Sequence, residues 1–218
     1  MERSIENIWK EGFQKNDDLT APKIGNLYNQ KSIHIIDKFK RMFRNNLIAI
    51  VVGSFVFLIV SWFLHIPVMG VLFFVTLMVL VFINKSLLNE LERIDQGQNS
   101  YQYLKDFSQW IKKQIAINKR LSAFIYPIFF MSFILGFWFN DAEDVYLGER
   151  LVKGILHLFP DTYLVFGVPV TGIIIAILIM SVLAYYGGRI YLWDLNIIYG
   201  RVLKKLDELL TDLESLRS

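Results

Sequence analysis

The sequence predicts an all-α polytopic membrane protein, with four transmembrane helices extended into a cytoplasmic helical stalk or coiled coil. Three observations predict this class. The 218 residues are 54% hydrophobic and 15% aromatic, above the usual content of a soluble domain. The excess falls into four blocks without Asp, Glu, Lys or Arg. The stretches beside these blocks keep the apolar spacing of amphipathic helices.

The four apolar blocks are long enough to cross a bilayer. They cover residues 47–64, 68–83, 123–139 and 164–184. A span needs about 20 apolar residues, with a working range of about 17 to 25. The second block is the shortest, and Ile66 and Pro67 extend it. Pro127 and Pro169 lie in the third and fourth blocks, where a proline can kink a helix.

The basic residues predict the orientation of the spans. Nine Lys and Arg fall in residues 1–46, seven in 84–122 and five in 185–218, against two in 140–163. Cytoplasmic loops of membrane proteins carry the excess of Lys and Arg. We therefore expect both termini and the middle loop in the cytoplasm, and the 140–163 loop outside. That outer loop is apolar in its second half, which predicts a short helix on the outer leaflet.

The first 26 residues are predicted to form a separate unit, an amphipathic helix followed by a tether. The tether is polar and turn-rich, and Pro22 is expected to break any helix there. The helix either lies on the stalk or the inner leaflet, or is presented from the membrane to bind a protein partner. Its apolar face, and so the predicted partner-binding set, is Ile5, Ile8, Trp9 and Phe13.

Residues 27–186 are predicted to form the membrane domain, whose helices continue beyond the spans on the cytoplasmic side. Apolar residues recur at helical spacing before the first span, after the second and before the third. The amphipathic positions are Ser32, Ile36, Phe39, Phe43, Leu87, Leu91, Ile94, Leu104, Phe107, Ile111 and Ile115.

The last unit, residues 187–218, is predicted to be a cytoplasmic heptad helix. Gly187 and Gly188 allow a bend or a break where it leaves the fourth span. Its apolar residues alternate at spacings of 3 and 4, the pattern of a coiled-coil seam. The seam either packs against the other extensions of the same chain or joins two copies in a homodimer. It consists of Leu192, Leu195, Tyr199, Val202, Leu206, Leu209, Leu213 and Leu216.

The residues that carry chemistry in enzymes are sparse. The chain has no cysteine and three histidines, and it lacks P-loop, GxSxG, GxGxxG and HExxH motifs. We therefore predict no enzymatic activity, no catalytic residue, no cofactor and no metal. Acidic residues offset much of the cytoplasmic positive charge, so direct nucleic-acid binding is not expected. The basic residues near the inner face are expected to anchor the stalk to anionic membrane lipid.

Two functions fit these observations. The first is a non-enzymatic regulator or scaffold that binds a cytoplasmic protein through the stalk and the N-terminal helix. The alternative is an oligomeric channel or small transporter, which needs a polar path between the spans. The spans contain no ionisable residue, whereas ion-coupled transporters usually place one there.

The segment IENIWKEGF followed by APKIGNLYNQKSIHIIDKFKRMF, ahead of four spans, resembles a family of uncharacterised four-span bacterial inner-membrane proteins. Members are often encoded beside extracytoplasmic-function sigma factors. The likeness covers mainly residues 5–45 and the number of spans. It implies a multi-pass protein of the bacterial inner membrane, acting as a regulator of the anti-sigma type with a sigma factor as its partner.

Overall fold

The computed structural model describes residues 17–94, 100–140 and 145–215, in which five helices and one short hairpin follow each other. The predicted partner-binding residues Ile5, Ile8, Trp9 and Phe13 lie outside the described residues. The elements are α1 (Asp17–Phe63), α2 (Pro67–Glu92), α3 (Ser100–Trp138), α4 (Leu147–Leu158), β1 (Leu164–Val165), β2 (Val168–Pro169) and α5 (Val170–Ser215).

Four of these helices are long and apolar enough to span a membrane, which confirms the all-α class. Their candidate segments are Gln30–Phe63, Pro67–Glu92, Tyr101–Trp138 and Val170–Asp212. Each helix runs without interruption from its apolar block into the polar residues beside it. The helical character of the extensions, which the apolar spacing predicted, is therefore present in all four.

The four long helices pack side by side in an antiparallel arrangement. α1 pairs with α2, α2 with α3, and α3 most extensively with α5, whereas α1 and α5 touch only sparsely. A tight turn joins α1 to α2: the Ile66 N–H donates to the carbonyl of Ser61 at 2.9 Å, and Pro67 begins α2. Proline suits this position because the first helical residues have no intrahelical partner for an N–H.

The start of α1 differs from the predicted tether. The helix begins at Asp17 and includes Pro22, where the sequence predicts a break. A proline removes one internal backbone hydrogen bond. In a helix of 47 residues, the hydrogen bonds on both sides of Pro22 continue the helix past this loss.

The fourth apolar block is not helical over its whole length. Residues 164–169 form a small hairpin in which Leu164 pairs with Pro169 and Val165 with Val168. Phe166 and Gly167 make its turn with positive φ angles of 51° and 77°. The expected kink at Pro169 is wrong, because this proline lies in β2, before the first residue of α5.

The helix α5 nevertheless keeps an apolar stretch of spanning length. Residues 170–188 contain no charged side chain, and at 1.5 Å per residue they reach about 28 Å. α5 then passes through Gly187 and Gly188 as continuous helix to Ser215. The break considered at these glycines is therefore wrong, and Pro127 likewise lies inside the uninterrupted helix α3.

At the end of the bundle where α1 meets α2, the short helix α4 closes the loop between α3 and the hairpin. Gly148 of α4 lies against the indole of Trp138, where a Cβ would come within 2.4 Å of the ring. Asn140 donates from Nδ2 to the His65 carbonyl at 3.0 Å. The short helix predicted in this loop is present, and its contact with the outer leaflet stays a prediction.

Candidate functional site

The end of the bundle that carries most of the charged residues also holds its hydrophobic core. We call it the charged end: α1 up to and including Leu47, α2 after Ile83, α3 before Ser122 and α5 after Gly188. Side chains from all four long helices form one buried cluster here. Its members are Ile36, Phe39, Phe43, Leu47, Leu87, Leu88, Leu91, Tyr103, Leu104, Phe107, Trp110, Ile111, Tyr199, Val202 and Leu206.

Phe39 is the centre of this cluster. Its ring lies 5.4 Å from that of Phe107, 5.9 Å from that of Trp110 and 5.1 Å from that of Tyr199, distances typical of favourable aromatic pairs. The Trp110 Nε1–H donates to the carbonyl of Leu87 at 3.0 Å. These contacts join α1, α2, α3 and α5, so the charged end is packed like the interior of a soluble protein.

The middle of the predicted seam is packed within this single chain. Tyr199, Val202 and Leu206 are buried in the cluster, and Leu195 and Leu209 pack against it. Leu192 is 37% exposed, so the seam is less covered near the apolar block. The side chain of Leu213 and the residue Leu216 lie outside the described part. A coiled coil between two chains stays a prediction.

A layer of amide side chains lies in the charged end, beside the apolar segments. The Nδ2 atoms of Asn84 and Asn118 each donate to the other residue's Oδ1 at 3.0 Å, and both side chains are buried. Asn118 also donates to the Gln114 carbonyl, and the Ser122 hydroxyl donates to the Asn118 carbonyl. We did not predict this layer, although Gln114, Asn118 and Ser122 recur every four residues and so mark one polar face of α3.

α3 and α5 cross closely beside this layer. A Cβ added to Gly187 would lie 2.7 Å from the Ser122 carbonyl oxygen, and one added to Gly188 would lie 2.8 Å from Cγ of Lys119. Both glycines therefore let the two backbones approach. Gly188, where the apolar segment of α5 ends, therefore lies beside Lys119 of α3.

A cleft of about 250 Å³ lies between the four helices at this boundary. Asn46 and Ile50 line it from α1, and Tyr191 and Asp194 line it from α5. The amide layer forms its inner wall. The Tyr191 hydroxyl donates to Gln114 Oε1 at 3.4 Å. The cleft combines amide, phenol and carboxylate groups with apolar side chains. Such a set is suited to a ligand that has both polar and apolar parts.

The outer face of α5 is apolar beyond the boundary. Trp193 is 68% exposed and Ile197 is 63% exposed, one turn apart on the helix. Ile197 lies nine residues after Gly188, about 13 Å farther along the axis. On the neighbouring helix α3, residues before Lys119 that face outward include Lys112 and Lys113. We call Trp193 and Ile197 the α5 patch.

A basic groove of about 490 Å³ lies between α1 and α2 at the charged end. Basic side chains outnumber acidic ones along it. Its charged and titratable lining residues are His34, Asp37, Lys38, Lys40, Arg41, Arg44 and Glu92. A groove of this composition close to the apolar segments is suited to anionic lipid head groups.

Five hydroxyl groups in the apolar segments donate to carbonyls of their own helices. Ser54 and Ser61 donate to carbonyls three residues earlier, and Thr76, Ser132 and Ser181 to carbonyls four residues earlier. Such bonds satisfy a hydroxyl inside an apolar environment. Within residues 17–94, 100–140 and 145–215, no group of three or more His, Asp or Glu residues is placed to hold a metal ion.

Comparisons with protein-family models, with curated proteins and with solved structures find no match for this chain. The resemblance carried by residues 5–45 therefore stays a prediction, and the proposals below rest on the residues and contacts described above.

Proposed function

We propose that this protein is a non-enzymatic regulator or scaffold of the bacterial inner membrane that binds a cytoplasmic protein at its charged end. The observation that carries the proposal is the α5 patch. Large apolar side chains exposed on a polar surface are typical of protein interaction sites, and tryptophan is enriched among residues that dominate binding.

The proposed topology has four spans with both termini in the cytoplasm. Its support is the distribution of basic residues, 21 of 23 on the proposed inner side, since cytoplasmic loops carry this excess. An even number of spans returns the chain to the side on which it began. The charged end then stands in the cytoplasm as the stalk.

The packing of the stalk supports a scaffold. Aromatic residues of α1, α3 and α5 interlock around Phe39, and the Trp110–Leu87 hydrogen bond adds α2. A rigid support lowers the entropic cost of binding, because the surface is ordered before the partner arrives. The α5 patch lies on this support.

The alternative of a channel or small transporter has less support. It needs polar groups that face a path between the spans, whereas the hydroxyls of Ser54, Thr76 and Ser132 donate to their own helices. None of the residues Asp, Glu, Lys, Arg and His occurs in the four apolar blocks. We therefore favour partner binding.

The partner is proposed to contact both the α5 patch and the predicted N-terminal helix with Ile5, Ile8, Trp9 and Phe13. The resemblance to the inner-membrane family makes a sigma factor the candidate partner. This part of the proposal is the most specific, and identification of the bound protein tests it directly.

The test is a quantitative pull-down from detergent-solubilised membranes. Trp193→Ala removes the largest exposed side chain of the α5 patch, and we expect recovery of the partner to fall at least about tenfold, the effect of losing one dominant contact. Ile175→Ala is the matched control, because Ile175 is 57% exposed on the same helix but within the apolar segment.

Two results decide the proposal. Loss of the same protein in Trp193→Ala, with full recovery in Ile175→Ala, supports binding at the α5 patch. If every co-purifying protein is recovered equally from both variants, the α5 patch is not a partner site. A recovered partner that is not a sigma factor contradicts the anti-sigma assignment while leaving the scaffold role standing.

A further inference from the structure

The cleft at the polar boundary changes character along its length. Toward the apolar segments it is lined by Leu80, Ile125 and Phe129. Toward the charged end its walls carry the polar groups of Asn46, Gln114, Tyr191 and Asp194 beside apolar residues such as Phe43 and Leu195. From Asn118 to Phe129, α3 rises about 16 Å. The amide and carboxylate groups of the cleft are therefore confined to its charged end, in the same direction as the head groups of a lipid monolayer.

Polar groups in the cleft have unused hydrogen-bonding capacity. Gln114 is 4% exposed, and only its Oε1 takes part in a side-chain bond, a long one from Tyr191. Among the described residues, no hydrogen bond is made by its Nε2 group. An amide N–H group without a protein partner is available to donate to an occupant that carries an oxygen acceptor.

The only formal charge among the described residues that line the cleft is negative. Asp194 is the single carboxylate among its described lining residues, and neither lysine nor arginine is among them. No described side chain makes a hydrogen bond or ion pair with the Asp194 carboxylate. This contrasts with the basic groove between α1 and α2, so the two sites select opposite charges.

Aromatic rings also line the cleft. Phe43, Tyr126, Tyr191 and Tyr199 line the cleft from α1, α3 and α5. Aromatic faces attract cations through the ring quadrupole. A carboxylate, amide oxygens and aromatic faces together form a suitable site for an ammonium group.

The cleft is also accessible from the side of the bundle. α1 and α5 both line it and touch each other only sparsely. On α5, the lining residue Asp194 is exposed and the lining residue Ile198 is 43% exposed. An amphiphile lying in the membrane could therefore place its head group in the cleft beside these exposed residues, while its chains stay in the lipid.

We propose that the cleft binds the head group of an amine-bearing membrane phospholipid, with the ammonium at Asp194, the phosphate or ester oxygens at Gln114 Nε2, and the first chain carbons beside Ile125 and Phe129. The volume of about 250 Å³ accommodates a head group and not two acyl chains. This site is independent of the protein partner proposed above.

The experiment is native mass spectrometry of the full chain released from nanodiscs that contain equal amounts of phosphatidylethanolamine and phosphatidylglycerol with identical acyl chains. We expect one retained phosphatidylethanolamine in preference to phosphatidylglycerol. Asp194→Asn removes the charge that holds the ammonium, and we expect the preference to fall about fivefold, the scale of a partly exposed ion pair.

Two variants make the result specific. Asp207→Asn makes the same charge change at an exposed position of α5 outside the cleft, and it should keep the preference. Asp194→Glu keeps the carboxylate and should retain most of it. A loss in both Asp194→Asn and Asp207→Asn would assign the effect to overall charge and overturn the proposal.

Two further outcomes would also overturn it. Equal retention of the two lipids by the unchanged protein would show that the cleft does not select an amine. An unchanged preference in Asp194→Asn would place the bound lipid elsewhere, for example at the basic groove. Thermal unfolding of each variant in the same detergent establishes that the compared proteins are folded.

Discussion

Gly187 and Gly188 show that a residue typical of turns can instead mark a close helix crossing. Both lie within the continuous helix α5, and α3 occupies the space where their side chains would be. Glycine is permissive in backbone conformation, so two adjacent glycines predict a bend or a break. The same missing Cβ also permits close approach, and only the position of α3 distinguishes these two uses.

The first prediction concerns Gly187→Ala. The added methyl would meet the Ser122 carbonyl oxygen at 2.7 Å, a backbone atom that cannot move aside without shifting α3. We expect a loss of about 1–3 kcal/mol in the free energy of unfolding, the usual effect of overpacking. Denaturation of the detergent-solubilised protein measures this loss.

Gly172→Ala is the control for this substitution. Gly172 lies in the same helix, and a Cβ added there would have no neighbouring atom within 4 Å. Alanine has the higher helix propensity, by about 1 kcal/mol in a helix interior, so this variant should be as stable as the original or more stable. Equal destabilisation of both variants would contradict the crossing at Gly187.

The hydrogen bonds between Asn84 and Asn118 are a second feature at the scale of individual residues. The two amides satisfy each other across α2 and α3, so neither is left unpaired in a buried place. The four-residue repeat of Gln114, Asn118 and Ser122 is visible in the sequence as a polar face. Its partner Asn84, 34 residues earlier than Asn118, is not marked by any local pattern.

At the scale of elements, α5 is one helix whose two parts suit different environments. Its first part is apolar on most sides and suits lipid, and its second part places Tyr199, Val202 and Leu206 in the core of the charged end. The heptad spacing predicted which face of this second part is buried. It could not predict what covers that face, because the same spacing serves a neighbouring helix or a second copy.

The second prediction tests that packing through Leu206→Asp. Leu206 is buried among residues of its own chain, so an unpaired carboxylate there is expected to cost more than about 4 kcal/mol, the range of severe core substitutions. Limited proteolysis should then cut α5 after the apolar segment. The effect should be the same in dilute, monomeric protein.

Thr211→Asp serves as the matched control, because Thr211 is exposed on the same helix and gains the same charge. It should resist protease as the original protein does. If Leu206→Asp is harmless at low concentration and disruptive only at high concentration, the seam joins two copies instead of packing within one.

At the element scale, the hairpin at residues 164–169 shows that hydropathy alone does not predict where a helix begins. Its residues are as apolar as those of the helix that follows. Hydropathy averaged along the chain therefore assigns the hairpin and the helix to one apolar block. Phe166 and Gly167 adopt positive φ, and glycine is the residue that most readily does so. In the sequence, Gly167 and Pro169 are the residues that indicate a turn before the helix, which begins at Val170.

At the scale of the whole molecule, the buried core and the apolar surface lie in different places. The core cluster is confined to the charged end, whereas large apolar side chains of the four candidate spans are widely exposed. In water this surface would be unfavourable, and in a bilayer it needs no protein partner. This separation is consistent with the proposed membrane topology.

The third prediction tests that topology by cysteine labelling. The natural chain has no cysteine, so a single introduced thiol reacts without background. In spheroplasts, a membrane-impermeant maleimide should label Asp161→Cys in the loop between α4 and β1. It should label Glu208→Cys on α5 only after lysis, because 21 of 23 basic residues put that end inside.

Both substituted positions are exposed, so a lack of labelling reports on the membrane and not on burial in the protein. Labelling of Glu208→Cys in intact spheroplasts, with Asp161→Cys protected, would reverse the proposed orientation. Labelling of both positions would show that they share one side and would contradict four spans.

The sequence by itself determined the helical class, the four apolar helices and the apolar face of α5. These properties follow from composition and from spacings of a few residues, which act locally along the chain. Tertiary structure decided how α3 crosses α5, how Asn84 meets Asn118, and where the cleft with Gln114 and Asp194 lies. These features join residues far apart in sequence, such as Gln114 and Tyr191 at a separation of 77. No local pattern specifies such contacts, because they depend on the register in which whole helices pack.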